Sequence, residues 1–361
     1  MVLTDFQSLA INNRLYTVDK LILFCSEEIK KGDLPEWKRG VYQFILDFLD
    51  GSDFIIQETS GTTGKKKSVR IPKKAMVGSA KLTIKVLKLK PYDTALLCLP
   101  IEYIAGKMVV VRSLCAGLNL LLTEPSGTPG TGSIEPVDFC ALVPLQVYNL
   151  LNTNLLSRIR TLIIGGAEIG GALEREIQKF PNRVFETYGM AETCSHVALR
   201  RVNGKNRESN FKALPGVRLS LDTRGCLVIQ APFLEGKVIT NDLVELVTAN
   251  TFKWLGRYDN IINTGGIKVH PEILEEKIQG ILNVPCAIIG KPDLVLGQKI
   301  VLFVETEHKI EKDAITELLK CRLDKKLVPK EVYTLGKFPR NASYKIDRGA
   351  LGDMIWARQE R

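Results

Sequence analysis

The chain has few of the residues that build metal and disulfide sites. Its 361 residues include three histidines (His196, His270, His308), and its eight cysteines form no Cys-x-x-Cys pair. A zinc centre needs several soft ligands at short spacing, so none is expected. The cysteines (Cys25, Cys98, Cys115, Cys140, Cys194, Cys226, Cys286, Cys321) are scattered, several inside apolar runs such as Leu96-Leu97-Cys98-Leu99. That usage suits small buried thiols in a reducing compartment. Long apolar runs are missing as well. Residues 108–111 and 118–122 fall far short of the roughly 18 that cross a bilayer, and residues 1–10 lack a basic-then-apolar leader. A globular, cytoplasmic protein without a membrane span is expected. Aromatics are 7% of the residues and do not interleave with a dense basic run, which argues against a nucleic-acid track.

Apolar residues, by contrast, make up 45% of the chain, enough for two or three domains with real cores. Lys and Arg outnumber Asp and Glu by 50 to 40, a net charge of +10. Spread out as it is, that excess favours small anions carrying phosphate or carboxylate groups.

Hydrophobic periodicity predicts helices over residues 18–31 and 36–49, a strand at 53–57 and a helix at 73–89. Strands at 94–99, 118–123, 138–143, 161–164 and 183–186 then alternate with helices at 104–116, 145–151 and 172–180. Such alternation reads as α/β: a large N-terminal part with a mostly parallel sheet flanked by helices. Past residue 214, short strands at 218–222, 226–231, 243–247 and 251–255 suggest a small β-rich subdomain. A separate α+β pattern follows, with strands near 287–290 and 299–305 and helices at 271–282 and 311–327. The division is placed at residues 1–256 and 257–361.

Four stretches carry chemistry. Thr59-Ser60-Gly61-Thr62-Thr63-Gly64-Lys65-Lys66-Lys67 follows a strand. Glycines there let the backbone approach a ligand closely, hydroxyls donate to oxyanions and lysines add charge, which together make a phosphate cradle. It is not a Walker A loop, because only two residues separate Gly61 from Gly64. The second stretch, Glu186-Thr187-Tyr188-Gly189-Met190-Ala191-Glu192-Thr193, reads as a strand-to-helix turn. In its functional reading Tyr188 stacks on a base and Glu192 holds Mg²⁺; an ordinary aromatic–glycine turn is the alternative. Gly256-Arg257-Tyr258-Asp259 with Asn263-Thr264-Gly265-Gly266-Ile267-Lys268 reads as a hinge and a close ligand approach, or equally as a linker and a turn. Near the C-terminus, Pro339-Arg340-Asn341-Ala342-Ser343-Tyr344-Lys345 taken alone is a basic loop.

In combination and order these stretches resemble the adenylate-forming superfamily of acyl-CoA synthetases, luciferases and peptide-synthetase adenylation domains. Thr240-Asn241-Asp242 is similar to its Thr-Gly-Asp motif, and Gly165-Gly166-Ala167-Glu168 sits where it forms the adenine pocket. Within the superfamily the chain most resembles o-succinylbenzoate–CoA ligases of menaquinone synthesis, through Tyr103-Ile104-Ala105-Gly106-Lys107 and residues 265–278. Typical members carry a further N-terminal portion. The chain departs from the pattern in four places: Lys66 and Ser68 at the loop exit, Ala191 for a threonine, Glu102-Tyr103 in the acyl segment, and Tyr344 before the lysine.

The resemblance implies an AMP-forming acid–CoA ligase using ATP, CoA and Mg²⁺, with small molecules as its partners and a homodimer admitted. Residues 59–65 would hold the phosphates, and Gly166, Ala167, Glu168, Tyr188, Gly189, Met190 and Ala191 the nucleotide. Asp242 and Arg257 would grip the ribose, Glu192 the metal, and Lys345 the reacting carboxylate and α-phosphate. Tyr103, Gly106, Lys107 and His196 would border the acid. Lys107 would meet a distal carboxylate, and His196 would share a helix face with Glu192. Residues 257–361 would form a lid that turns on Asp259, with Gly265, Gly266 and Lys268 on the CoA path. Alternatives are another aryl or fatty acid, a carrier-protein thiol as acceptor, and a non-catalytic nucleotide-binding protein.

Overall fold

A computed structural model describes residues 6–60, 66–130, 136–307, 311–340 and 346–356. Its main feature is a 13-stranded sheet. Six parallel strands lie side by side in the order Ser8–Ile11, Asn119–Leu122, Thr94–Leu97, Val137–Leu142, Ile159–Ile164 and Arg183–Gly189. Their sequences are nearly continuous apolar runs (Thr161-Leu162-Ile163-Ile164), as strands covered on both faces require. Helices Val18–Ile29, Glu36–Leu49, Lys73–Leu87 and Ile104–Ala116 pack on one face through Leu21, Ile45, Met76 and Val109. Helices Pro144–Leu150 and Gly171–Ile177 cover the other through Val147, Leu150 and Ile177.

Beyond Arg183–Gly189 the sheet turns antiparallel, through His196–Arg201, Phe211–Ala213, Thr251–Arg257, Lys237–Thr248, Cys226–Gln230 and Arg218–Leu221. The β-rich stretch expected after residue 214 thus extends the parallel sheet edge to edge. Strands Phe54–Ser60 and Lys66–Pro72 form a hairpin of their own, closed by the pair Ser60↔Lys66. The last third of the chain folds on a five-stranded sheet with its own core, in which Leu274, Ile278, Ile315 and Leu319 cover one face and Leu351 the other.

Two expected helices fall short. Residues 311–327 give only Lys312–Lys320, because Asp324 turns the chain by accepting from the Lys326 amide at 2.9 Å. After Gly189 there is a single helical turn, Ala191–Thr193, and then a strand, so His196 and Glu192 share no helix face. Thr193 Oγ1 causes this: it accepts from the Met190 amide at 3.0 Å and donates to the Ser195 carbonyl at 2.6 Å. Cys194, at φ 60°, then reverses the chain into the next strand.

Candidate active site

Two of the stretches singled out from the sequence, Gly165–Glu168 and Tyr188–Glu192, lie at the carboxyl ends of neighbouring parallel strands, where open α/β sheets place their ligand crevice. Strand Ile159–Ile164 ends in Gly165, whose added Cβ would lie 2.2 Å from Thr187 Oγ1. The loop after it is therefore pressed against strand Arg183–Gly189. Gly166 turns with φ +86°, and the loop is pinned where Glu186 Oε1 accepts from the Ile169 amide at 2.9 Å. Glu186, 3% exposed, is held in turn by Arg200 Nη2 at 2.7 Å, and Arg200 also reaches Glu174 at 2.8 Å. Ala167 and Glu168 stand on the exposed rim of this loop. Partial desolvation, then the charges of Glu186, Glu276, Glu275 and Glu272, push the Glu168 carboxyl up.

Tyr188, two residues along the same strand, is buried with its ring 5.0 Å from Phe252 and 5.9 Å from Phe211. Its hydroxyl donates to Asp242 Oδ2 at 2.7 Å, and burial followed by the Asp242 charge drives the phenol's pKa up. Asp242 is also fixed from its backbone, which donates to Thr240 Oγ1 at 3.0 Å, while Oδ1 lies 4.0 Å from Arg257. One carboxylate oxygen thus faces the guanidinium, in a pair (Asp242↔Arg257) set by strand register. Gly189 has no room for a side chain, since a Cβ would sit 2.3 Å from the Ser195 carbonyl. The chain can therefore turn tightly through Met190 and Ala191 to present Glu192.

Glu192 is exposed, with no hydrogen-bond partner among the described residues. Strand Lys66–Pro72 lies against its turn, so the hairpin packs beside the segment that carries this carboxylate. Gly61, Thr62, Thr63, Gly64, Lys65 and Lys345 lie outside the described residues. Thr59 and Ser60 end the first hairpin strand, and Arg340 pairs with Ile346 across residues 341–345. A magnesium ion fits Glu192: it uses one or two protein carboxylates and completes its shell with phosphate oxygens and water.

Tyr103 precedes helix Ile104–Ala116, and Gly106 packs so closely that a Cβ would lie 2.4 Å from the Pro100 carbonyl. The Lys107 ammonium donates to Gln57 Oε1 at 2.8 Å and to the Glu102 carbonyl at 3.2 Å, and desolvation lowers its pKa. The ammonium is thus committed to the base of the hairpin. Gly265 and Gly266 make the two-residue turn between Ile262–Thr264 and Ile267–Val269, with φ +54° and +80°. A type I′ turn needs positive φ at both positions, which accounts for both glycines. Lys268 is exposed beside them. Asp259 sits in the helical turn Tyr258–Asn260 that follows strand Thr251–Arg257.

Sequence reasoning missed one group. Arg112 is 2% exposed on helix Ile104–Ala116, its Nη2 bonded to Ser195 Oγ and its Nε buried without a partner. Among the described residues no carboxylate pairs with it, and desolvation brings its pKa down to about 10. Beside it His196, also buried, lies 3.0 Å from Thr83 Oγ1 through Nε2 and 3.5 Å from Ser195 Oγ through Nδ1. Desolvation, then the charge of Arg112, holds this imidazole well below its usual pKa, so it is neutral. The available signal was an arginine inside Val109-Val110-Val111-Arg112-Ser113-Leu114.

A family profile described as AMP-binding enzyme matches residues 33–230. A 2-succinylbenzoate–CoA ligase from Lactococcus lactis is 26% identical over 94% of this chain and 79% of its own length. An acyl-CoA synthetase (AMP-forming)/AMP-acid ligase II-like protein from Dyadobacter fermentans is 32% identical, with TM-score 0.61 over 92% of this chain and 98% of its own. The o-succinylbenzoate CoA synthetase from Bacillus subtilis, solved with the acyl-adenylate OSB-AMP, shares the fold at TM-score 0.78 and 19% identity, over 97% and 96% of the two chains. With more than half its length inside the matched profile, the chain belongs to the AMP-binding enzyme family.

Proposed function

We propose that the protein is an acid–CoA ligase that converts o-succinylbenzoate, ATP and CoA to o-succinylbenzoyl-CoA, AMP and diphosphate. The named relatives support the reaction class. The observation that carries the choice of acid is the buried guanidinium of Arg112, which has no carboxylate partner among the described residues and is bonded to Ser195, three residues past Glu192. A cation sealed from water is costly unless an anion reaches it. A substrate with two carboxylates supplies one to react at the nucleotide and a second to meet Arg112. Neutral His196 and Ser195 would line the same pocket, and this assignment replaces Lys107, which is engaged elsewhere.

In the adenylation step the acid's carboxylate oxygen attacks the α-phosphorus and diphosphate leaves. Asp242, oriented by Tyr188 and Thr240, accepts hydrogen bonds from the ribose hydroxyls, with Arg257 alongside. The loop from Gly165 to Glu168, pinned through Glu186, walls the base. The amides, hydroxyls and lysine of residues 59–65 hold the phosphates, and Lys345 reaches the attacking carboxylate oxygen and the α-phosphate oxygens. Preorganised donors of this kind supply most of the acceleration in phosphoryl and acyl transfer. Magnesium, held by Glu192, would neutralise phosphate charge. In the second step the CoA thiol attacks the acyl carbonyl and AMP leaves, with residues 257–361 turning on Asp259 so that Gly265, Gly266 and Lys268 approach the thiol's path. A cytoplasmic location is part of the proposal and is supported by the eight cysteines, none of which forms a disulfide among the described residues.

The test is a panel of aryl, dicarboxylic and fatty acids assayed for AMP release with ATP and CoA. o-Succinylbenzoate should give the highest kcat/KM. AMP release that needs a carrier-protein thiol in place of CoA, or none with any acid, would refute the assignment.

A further inference from the structure

The segment assigned as the hinge is gripped by side chains that none of the motifs called for. Arg224, in the turn between strands Arg218–Leu221 and Cys226–Gln230, donates Nη1 to Asn241 Oδ1 at 2.8 Å and Nη2 to the Thr240 carbonyl at 3.0 Å. Asp222 holds it from behind at 2.7 Å, and its guanidinium carbon lies 5.3 Å from the centre of the Tyr258 ring. With Oδ1 taken by a donor, the Asn241 amide must present Nδ2 on its other side. There it donates to both carboxylate oxygens of Asp259, at 3.0 and 3.3 Å. Arg257 Nη2 adds a bond to Asp259 at 2.9 Å. Asn260, the third residue of the turn, donates to Glu272 Oε1 at 2.6 Å and so ties the segment to helix Pro271–Leu282 on its far side. A rotation about Asp259 has to break the bonds on the sheet side, because Arg224 and Asn241 belong to the large sheet.

We propose that Arg224, Asn241 and Asp259 form a clasp that holds residues 258–260, and with them the C-terminal lid, in the present arrangement, and that its release gates passage between the two half-reactions. This rests on the reading of Asp259 as the hinge. The glycine of the Thr-Gly-Asp pattern has no side chain, so a chain that keeps that glycine cannot make the bond that Asn241 makes to Asp259. Arg224 and Asn241 are positioning residues: they act through Asp259 and touch no reacting atom. The bonds lie at the surface and are charge-assisted at one end, so losing them should shift the balance between arrangements by roughly 3- to 10-fold.

The experiment uses the full chain in a Cys115→Ala background, labelled with a donor–acceptor dye pair at the exposed Cys321 and at Asn152→Cys. Single-molecule energy transfer without substrates should show one dominant distance. Asn241→Gly should lower the ratio of that population to the rest by about 3- to 10-fold. Arg224→Gln should do the same, and the double variant should go little further than either single one, because the residues act in series. In parallel, pyrophosphate exchange and CoA-dependent AMP release are measured with o-succinylbenzoate, and the two should change by unequal factors. An unchanged distance distribution in Asn241→Gly, or strictly additive effects, or equal loss in both half-reactions, would overturn the clasp. If the unaltered chain releases no AMP with any acid, the ligase reading fails, while the distance measurement still decides the clasp.

Discussion

Among the described residues no carboxylate pairs with the buried guanidinium of Arg112, and a cation sealed from water in this way costs stability. Replacing it with a flexible apolar side chain of similar length removes the desolvation penalty and keeps the volume. Arg112→Met is therefore expected to leave the urea midpoint unchanged or higher. It should also raise KM for o-succinylbenzoate more than tenfold, by about 1.4 kcal/mol or more, with KM for ATP nearly constant. Equal damage to both substrates, or a clear loss of stability, would place Arg112 in a structural role instead. His196, its neighbour, gives a pH signature. Its folded pKa lies well below the model-compound value of 6.5, so below pH 6.5 the unfolded chain binds a proton that the folded chain refuses. Stability should accordingly fall as pH drops below 6.5 and level off above it. Urea midpoints at pH 5.0 and 7.5 should differ in the wild type, and the difference should shrink in His196→Gln.

Elements meet at this site through two glycines whose roles local pattern alone does not show. Gly189 faces the Ser195 carbonyl and the His196 Cα, where a Cβ would come within 2.3 and 2.4 Å of backbone atoms that cannot move aside. Gly256, at φ +126°, would place a Cβ 2.4 Å from Glu272 Oε2, so the end of strand Thr251–Arg257 can meet helix Pro271–Leu282 only without a side chain. Gly189→Ala should destabilise by about 2–4 kcal/mol, read from denaturant unfolding, because the clash is with backbone. Gly256→Ala combines strained φ with displacement of a buried carboxylate and should lose at least about 1 kcal/mol. A stability loss under 0.5 kcal/mol in Gly189→Ala would show that the two strands are less tightly joined than they are drawn here. These contacts also explain the misplaced helix. Residues 190–199 have the composition of a helix start, but Thr193 bonds across the turn and neighbouring strands take up Val197, Ala198 and Leu199, so tertiary pairing overrides local propensity.

At the scale of the whole molecule, the proposed chemistry divides between the large sheet and the last third of the chain. Lys345→Ala should abolish adenylation while largely sparing attack of CoA on supplied acyl-adenylate, measured as separate half-reactions. Equal loss of both would remove the assigned division of labour. Much of this architecture could be read from residue order alone. The alternation of apolar runs and amphipathic helices up to Arg183–Gly189, the helix Pro271–Leu282 begun by a proline, and the glycine–hydroxyl loop after a strand all express local rules: side-chain period, capping and backbone freedom act within a few residues. Tertiary structure alone decided how the later strands add to the parallel sheet, that Tyr188 donates to Asp242, that Lys107 donates to Gln57, and that Arg112 is buried with its Nε unpartnered among the described residues. Each of these depends on groups tens of residues apart being brought within a few ångströms, where desolvation and hydrogen-bond geometry, invisible in a linear pattern, set what a side chain can do.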